Sequence, residues 1–366
     1  MMKLLKFNNL LFFVAFSTVA CAQIPDGYYD DAEGLEGYAL KTALKNIIDG
    51  HTVLSYGSLD SKYILTDKDL YYENDASVLD IYSEKPSGAD AYNYGFGEGD
   101  QCGNYNSEGD CWNKEHIFPQ GFFNEQLPMR TDLHQVLPTD GYVNGMRSNY
   151  PFGEVATATF TSTNGSKRGS SASPGHSGVV FEPIDEFKGD VARILFYFAT
   201  RYENEVTSGS WDNPDADNNN PLNGTNDQVY EDWFVDVLLS WHNMDPVSQK
   251  EIDRNNAVYN IQHNRNPYVD HPEWVNEIWG EGMGVSDVNT ELKVDIYPNP
   301  VKNILNIKSE KTIEKIEIFS LSGAKVQTGK PNAKDVEINV VHFAKGAYIL
   351  KMTIDGKTTT EKFVKK

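Results

Sequence analysis

The decisive stretch begins Asn113-Lys114-Glu115-His116-Ile117-Phe118-Pro119. It resumes at Asp132-Leu133-His134-Gln135-Val136-Leu137-Pro138-Thr139-Asp140-Gly141-Tyr142-Val143-Asn144-Gly145-Met146-Arg147-Ser148-Asn149-Tyr150-Pro151-Phe152-Gly153. Oxygen donors, a neutral base and a guanidinium are concentrated there, and these are the parts for hydrolysing a phosphodiester. A hard cation such as Mg²⁺ takes carboxylate and amide oxygens and keeps several waters. The attacking water needs a base poised near neutral pH, which is the range of histidine. Charge building on the phosphate needs a cation that keeps its proton, which is arginine. Neighbours on a strand point to opposite faces, so Glu115 and His116 can divide the work, one toward metal and one toward water. Each residue alone also has a plainer reading: Glu115-His116 as a surface pair, His134 as a structural histidine, Tyr142 and Phe152 as core.

Outward from this stretch the pattern is mixed. Leu40, Leu44, Ile47 and Ile48 fit one helix face. Val191, Ile194, Leu195 and Phe198 have helical spacing, as do Phe234, Val237, Leu238 and Trp241. Val78-Leu79-Asp80-Ile81-Tyr82 reads as a strand, and Asp245-Pro246 and His271-Pro272 place proline at the first position of further helices. Residues 99–190 are rich in Gly, Asn, Ser and Pro and predict short strands at most. The expected class is α+β, with helices framing a loop-rich centre. The segment 212–220, Asp-Asn-Pro-Asp-Ala-Asp-Asn-Asn-Asn, is rich in oxygen ligands but lacks the glycine and distal glutamate of a full Ca²⁺ loop. It reads as a solvated insertion, with a weak structural Ca²⁺ site near Asp212 and Asp217 as the alternative.

Both ends differ from the middle. Lys3 and Lys6 precede an apolar run from Leu10 to Phe16, and Ala20-Cys21-Ala22 is a small-residue cleavage site, so residues 1–22 read as a secretory signal. A lipid anchor on Cys21 is the rival reading, with a poor lead-in. No other apolar run approaches the length of a membrane span. Removing the signal leaves two cysteines, Cys102 and Cys111, and in an exported chain this pair reads as a disulfide. From residue 291 onward the chain carries 14 Lys, no Arg and 9 acids, with Tyr348, Leu350, Met352 and Ile354 alternating with their neighbours. That alternation, and Asp355-Gly356 as a turn, predict a small antiparallel β-sandwich. The expected domains are 1–22, 23–284, a linker at 285–290, and 291–366.

Two resemblances join these readings. The motifs N-K-E-H-x-F-P and D-L-H-x-x-x-P-T-D-G-x-V-N-G-x-R-S-N-Y-P-F-G, the segment 181–193, and Arg254-Asn255-Asn256-Ala257-Val258-Tyr259 with the segment 264–272 resemble, in order, the bacterial endonuclease I family of ββα-metal (His-Me finger) nucleases. The resemblance implies His116 as general base, Glu115 and Asn144 as protein ligands of one Mg²⁺ (Mn²⁺ or Ca²⁺ as substitutes), and products ending in 5′-phosphate and 3′-hydroxyl. Arg147 is the candidate phosphate clamp. The family also has an arginine between the two motifs, where this chain offers Arg130 instead. Val294-Asp295-Ile296-Tyr297-Pro298-Asn299-Pro300, Leu321-Ser322-Gly323, Lys345-Gly346-Ala347-Tyr348 and the terminal lysines resemble a type A sorting domain of the type IX secretion system. That implies export to the outside of the cell or its surface, with the secretion machinery as partner.

Together these imply a secreted, sequence-nonspecific nuclease acting on DNA and also RNA, as a monomer. Two alternatives are a surface binding or matrix protein on the same scaffold without catalysis, and a phosphodiesterase for a smaller substrate; the intact Glu115, His116 and Asn144 argue against the first. The formal net charge of −21 at first disfavours nucleic acid, since phosphate binding leaves a basic footprint. The acidity is uneven. Residues 23–290 carry about −28 and residues 291–366 about +5, while residues 114–170 hold five basic and five acidic groups. A locally neutral cleft with few phosphate contacts is the expectation.

Overall fold

The computed structural model describes residues 24–207, 211, 219–280, 294–320, 325–354 and 357–366. The signal segment, the acidic stretch 212–218, the linker, Leu321-Ser322-Gly323 and Asp355-Gly356 lie outside the described residues. The chain divides into two compact units, Met1–Val285 and Ser286–Lys366.

In the first unit, α1 (Gly37–Ile48) buries Leu40, Leu44 and Ile48 completely, as its spacing predicts, and α2 (Asp60–Thr66) buries Tyr63. Strands β1 (Trp112–His116) and β2 (Val136–Asp140) pair antiparallel, with Trp112 opposite Asp140 and His116 opposite Val136. Helix α3 (Gly141–Arg147) follows β2 without a break. Asp140 caps it by accepting from Val143 N at 2.8 Å, which satisfies one of the orphan donors of the first turn. Then come β3 (Val155–Thr161), β4 (Lys167–Ser171) and β5 (Val179–Glu182), a three-stranded sheet in sequence order. Helices α4 (Lys188–Arg201), α5 (Asp232–Met244), α6 (Gln249–Gln262), α7 (Pro267–Asp270) and α8 (Glu273–Trp279) complete the unit.

The core centres on α4, all fourteen residues of which are buried. Its predicted apolar face is present, but its polar face is buried too, because Arg193 pairs with Glu251 of α6 and Lys188 with Glu182 of β5. Phe198 of α4 stacks on Phe118 at 4.4 Å, and with Ile117 also buried the core begins directly after His116. A fully buried side chain of this size contributes about 1.5–3 kcal/mol. Two local expectations fail for physical reasons. The stretch Val78–Tyr82 makes only an isolated bridge at Val78, because Asp80 accepts from Tyr82 N and Ser83 Oγ and turns the chain back. Helix α6 starts at Gln249 rather than at Pro246, because Ser248 and Glu251 form a reciprocal capping box there.

The second unit is all β. Its strands are β6 (Val294–Tyr297), β7 (Ile304–Ser320), β8 (Lys325–Gly329), β9 (Ala333–Asn339), β10 (Gly346–Ile354) and β11 (Lys357–Lys365). The first half of β7 pairs with β6 and β9, and its second half with β10 and β8. One long strand thus serves two faces of a sandwich-like sheet. Tyr348, Leu350, Met352 and Ile354 all point inward, as their alternation predicts.

Candidate active site

The hairpin β1–β2 and helix α3 put Glu115, His116 and Asn144 around one groove of about 770 Å³, with Tyr56, Tyr105 and Lys114 on its walls. Helix α3 lies close to the disulfide-bonded loop. A Cβ at Gly141 would stand 2.8 Å from the Tyr105 ring, so that position admits only glycine without a shift. Cys102 and Cys111 are bonded, with Cα atoms 5.7 Å apart, as the sequence predicts. The loop they close carries Tyr105 to the groove, and Cys111 accepts from Gly141 N at 2.9 Å.

His116 is almost fully buried, and its Nε2 lies 3.1 Å from the carbonyl oxygen of Arg130. A carbonyl only accepts, so Nε2 carries the proton and Nδ1 keeps the lone pair. Burial pushes the imidazole pKa down to about 4, against that hydrogen bond and with help from the charges of Arg130, Arg147 and Lys114. The ring is therefore neutral at pH 7, the state a proton acceptor needs.

Glu115 is 2% exposed. Its Oε1 accepts from Tyr82 Oη at 2.8 Å and meets Arg147 Nη1 at 3.1 Å. Burial pushes its carboxyl up, opposed by Arg147 and Tyr82. Asn144 donates from Nδ2 to Asn113 Oδ1 at 2.8 Å and to the Lys114 carbonyl at 3.3 Å, which leaves Oδ1 as its available acceptor. A carboxylate and an amide oxygen form an all-oxygen donor set, which suits a hard divalent cation.

Arg147, the expected clamp, is bonded within the fold. Its Nη1 donates to the His116 carbonyl at 2.9 Å and its Nη2 to the Ile117 carbonyl at 2.6 Å, and the guanidinium sits 4.5 Å from the Phe152 ring centre. At 1% exposure it lines the groove while bonding to the end of β1 and to Glu115. Arg130 is the more accessible cation. It lies over the Tyr56 ring at 4.4 Å, with Lys114 4.8 Å from the same ring, and pairs with Glu125 at 2.6 Å. Lys114 pairs with Asp60.

His134 is buried and structural, bonded through Nε2 to the Asn264 carbonyl at 3.1 Å. Phe152 is core. Sequence reasoning missed Tyr82, which supports Glu115, and Tyr56, which carries the two cations. Both come from loops far from the motifs, and no local signal marks them.

Comparison with known proteins identifies both units. Residues 36–273 match the endonuclease I family, and residues 295–366 match the secretion system C-terminal sorting domain. The chain is 39% identical over 256 residues to an extracellular ribonuclease of Bacillus amyloliquefaciens, covering 69% of this chain and 78% of that protein. It is 36% identical over 259 residues to an extracellular ribonuclease of Bacillus subtilis (strain 168), with the same coverage. An endonuclease-1 of Buchnera aphidicola subsp. Baizongia pistaciae is 27% identical over 141 residues, 38% of this chain and 46% of that protein. The chain is a secreted nuclease with a C-terminal sorting domain, and it belongs to the endonuclease I family.

Proposed function

We propose that this nuclease is of the ββα-metal type and hydrolyses phosphodiester bonds of DNA and RNA without sequence preference, leaving 5′-phosphate and 3′-hydroxyl ends. The observation that carries the reading is the fixed tautomer of His116, whose Nε2 is tied to the Arg130 carbonyl beside Glu115 in one groove. His116 Nδ1 takes a proton from water as that water attacks phosphorus. Tyr82 and Arg147 hold the Glu115 carboxylate in place, and Asn113 holds Asn144. Glu115 and Asn144 would hold one Mg²⁺, for which Mn²⁺ or Ca²⁺ substitutes. Bound there, the cation supplies Lewis-acid stabilisation of the leaving 3′-oxygen. Arg147, which lines the groove, and Arg130, over the Tyr56 ring at its edge, are the two candidates for the phosphate clamp.

RNA is a substrate on this reading because two relatives are named ribonucleases. The secretion machinery is the partner of the C-terminal unit, and the mature enzyme acts as a monomer. The test is digestion of plasmid DNA and of total RNA by the purified chain, with and without Mg²⁺. Both substrates are degraded with Mg²⁺ and EDTA stops the reaction. Plasmid and RNA surviving in Mg²⁺, Mn²⁺ and Ca²⁺ alike would end the proposal.

A further inference from the structure

Away from the groove, one group of carboxylates stands without a counter-charge. One oxygen each from Asp69, Glu73 and Glu84 lies within 4.8 Å of the others. Asp69 is 1% and Glu84 2% exposed, while Glu73 reaches solvent. Buried carboxylates elsewhere in this unit are compensated. Asp67 has Arg254, Glu203 has Lys41, and Glu251 has Arg193. Asp132 has instead a full set of donors, from Tyr197, Tyr202, Gln262 and the His134 amide. Asp69 accepts from the amides of Tyr71, Tyr72 and Asn74. Glu84 is less well supplied, drawing on the Lys85 amide alone and standing near Asp90 as a further carboxylate. Its Oε1 is buried with no hydrogen-bond partner, and among the described residues no lysine or arginine pairs with any of the three. Burial, with Asp90, Glu73 and Asp69 nearby, pushes the Glu84 carboxyl up to about 8, so it either keeps its proton or gains a compensating positive charge.

We propose that Asp69, Glu73 and Glu84 form a binding site for a divalent cation of the Ca²⁺ class, separate from the catalytic groove. The donors are all carboxylate oxygens. Oxygens on opposite sides of a Ca²⁺ stand about 4.6–5.2 Å apart, and around Mg²⁺ only about 4.0–4.2 Å. The three oxygens lie within 4.8 Å of one another, inside the span of a Ca²⁺ shell, and the solvent-facing side at Glu73 admits the waters that complete it.

The site would tie the segment at residues 69–73 to the turn at residues 80–84. That turn carries Tyr82, whose hydroxyl supports Glu115. The same turn is already tied to β2, since Asp80 accepts from Asp140 N at 2.8 Å, and to the β3–β4 turn, since the Glu84 carbonyl accepts from Asn164 Nδ2 at 3.2 Å. The cation would therefore act as a structural ligament behind the catalytic carboxylate.

The experiment titrates Ca²⁺ alone into the full chain carrying Glu115→Gln, which weakens cation binding in the groove. Calorimetry reads affinity and melting reads stability. Ca²⁺ at a hundredfold excess over its Kd is expected to raise Tm by about 5 °C or more. Adding Glu73→Gln or Glu84→Gln should weaken the Ca²⁺ affinity at least tenfold and remove most of the shift. Glu73 is exposed, so its variant has no folding defect to confuse the result. Tb³⁺ luminescence excited through the neighbouring Tyr71 and Tyr72 should fall in the same two variants. A Tm indifferent to Ca²⁺, or Ca²⁺ binding that survives both substitutions, overturns the assignment.

Discussion

In the C-terminal unit, Leu305, Ile307, Ile318, Leu350, Met352 and Phe363 make an apolar interior, and the buried polar residues among those described are Ser309 and Lys365. The catalytic unit buries Lys41 with Glu203, Arg193 with Glu251, Arg265 with Asp270 and Arg147 with Glu115. Alternation of apolar and polar residues is enough to specify a sandwich that carries no catalytic group. Aiming a carboxylate or an imidazole takes directional bonds in a dry environment, which are costly to bury and costly to break. The two units therefore should respond to substitution in opposite ways, the one in stability alone and the other in stability and rate together.

The largest effect separating them is catalytic. His116→Ala should lower the rate of plasmid cleavage by about 10²–10⁴. A chain ending at Val285 should keep its rate within about twofold. Equal losses in both would break the comparison, and an unchanged rate in His116→Ala would sink the mechanism. Next comes Arg147→Met, which leaves Glu115 buried beside Tyr82 without its cation and costs about 3–5 kcal/mol, read by urea unfolding, with a fall in rate. Leu350→Ala should cost a similar amount, about 2–5 kcal/mol, as a cavity in the C-terminal unit with no change in rate. An Arg147→Met variant that lost stability but kept full activity would remove its positioning role.

A smaller effect follows from His134. Burial pushes its pKa down to about 4, against the attraction of Asp132. A histidine whose folded pKa lies below its unfolded value near 6.5 binds its proton more readily in the unfolded chain. Its contribution is therefore complete above pH 6.5 and is lost as pH falls toward 4, at up to about 1.4 kcal/mol per pH unit. His134→Gln, measured against the wild type by urea unfolding, should flatten the acid side of the stability profile by that slope. Unchanged slopes would mean that the ring is not neutral in the fold.

The same contrast explains what was legible beforehand. Faces set by periodicity were readable: Leu40, Leu44 and Ile48 in α1, and Tyr348, Leu350, Met352 and Ile354 in β10, are all buried as their spacing implies. The motif residues gathered as expected, because Glu115, His116 and Asn144 lie on a contiguous hairpin and helix. What the sequence did not reveal is carried by polar side chains acting across the fold. Tyr82 reaches Glu115 from 33 residues away, and Asp80 turns a stretch whose apolar pattern reads as a strand. The burial of Arg147 was not legible either, because sequence carries no sign of burial for an arginine. The carbonyls of His116 and Ile117, which fix it, are backbone atoms that any residue would supply.

The smallest predicted effect tests whether charge divides the units as chemistry does. Residues 23–290 carry about −28, and the groove cations Lys114 and Arg147 already have carboxylate partners in Asp60 and Glu115, as Arg130 beside the groove has in Glu125. Such a groove neutralises few phosphates, and each contributes a slope of about −0.9 in log affinity against log salt. Binding of DNA to Glu115→Gln should thus show a shallow slope, about −2 to −3. Residues 291–366, at about +5, offer a second place for phosphate to bind. A steep slope in the full chain that becomes shallow when the chain ends at Val285 would assign nucleic-acid affinity to the lysine-rich unit. The sorting unit would then hold the substrate while the acidic unit cuts it. A slope that is shallow in both chains keeps binding and cleavage in the same groove.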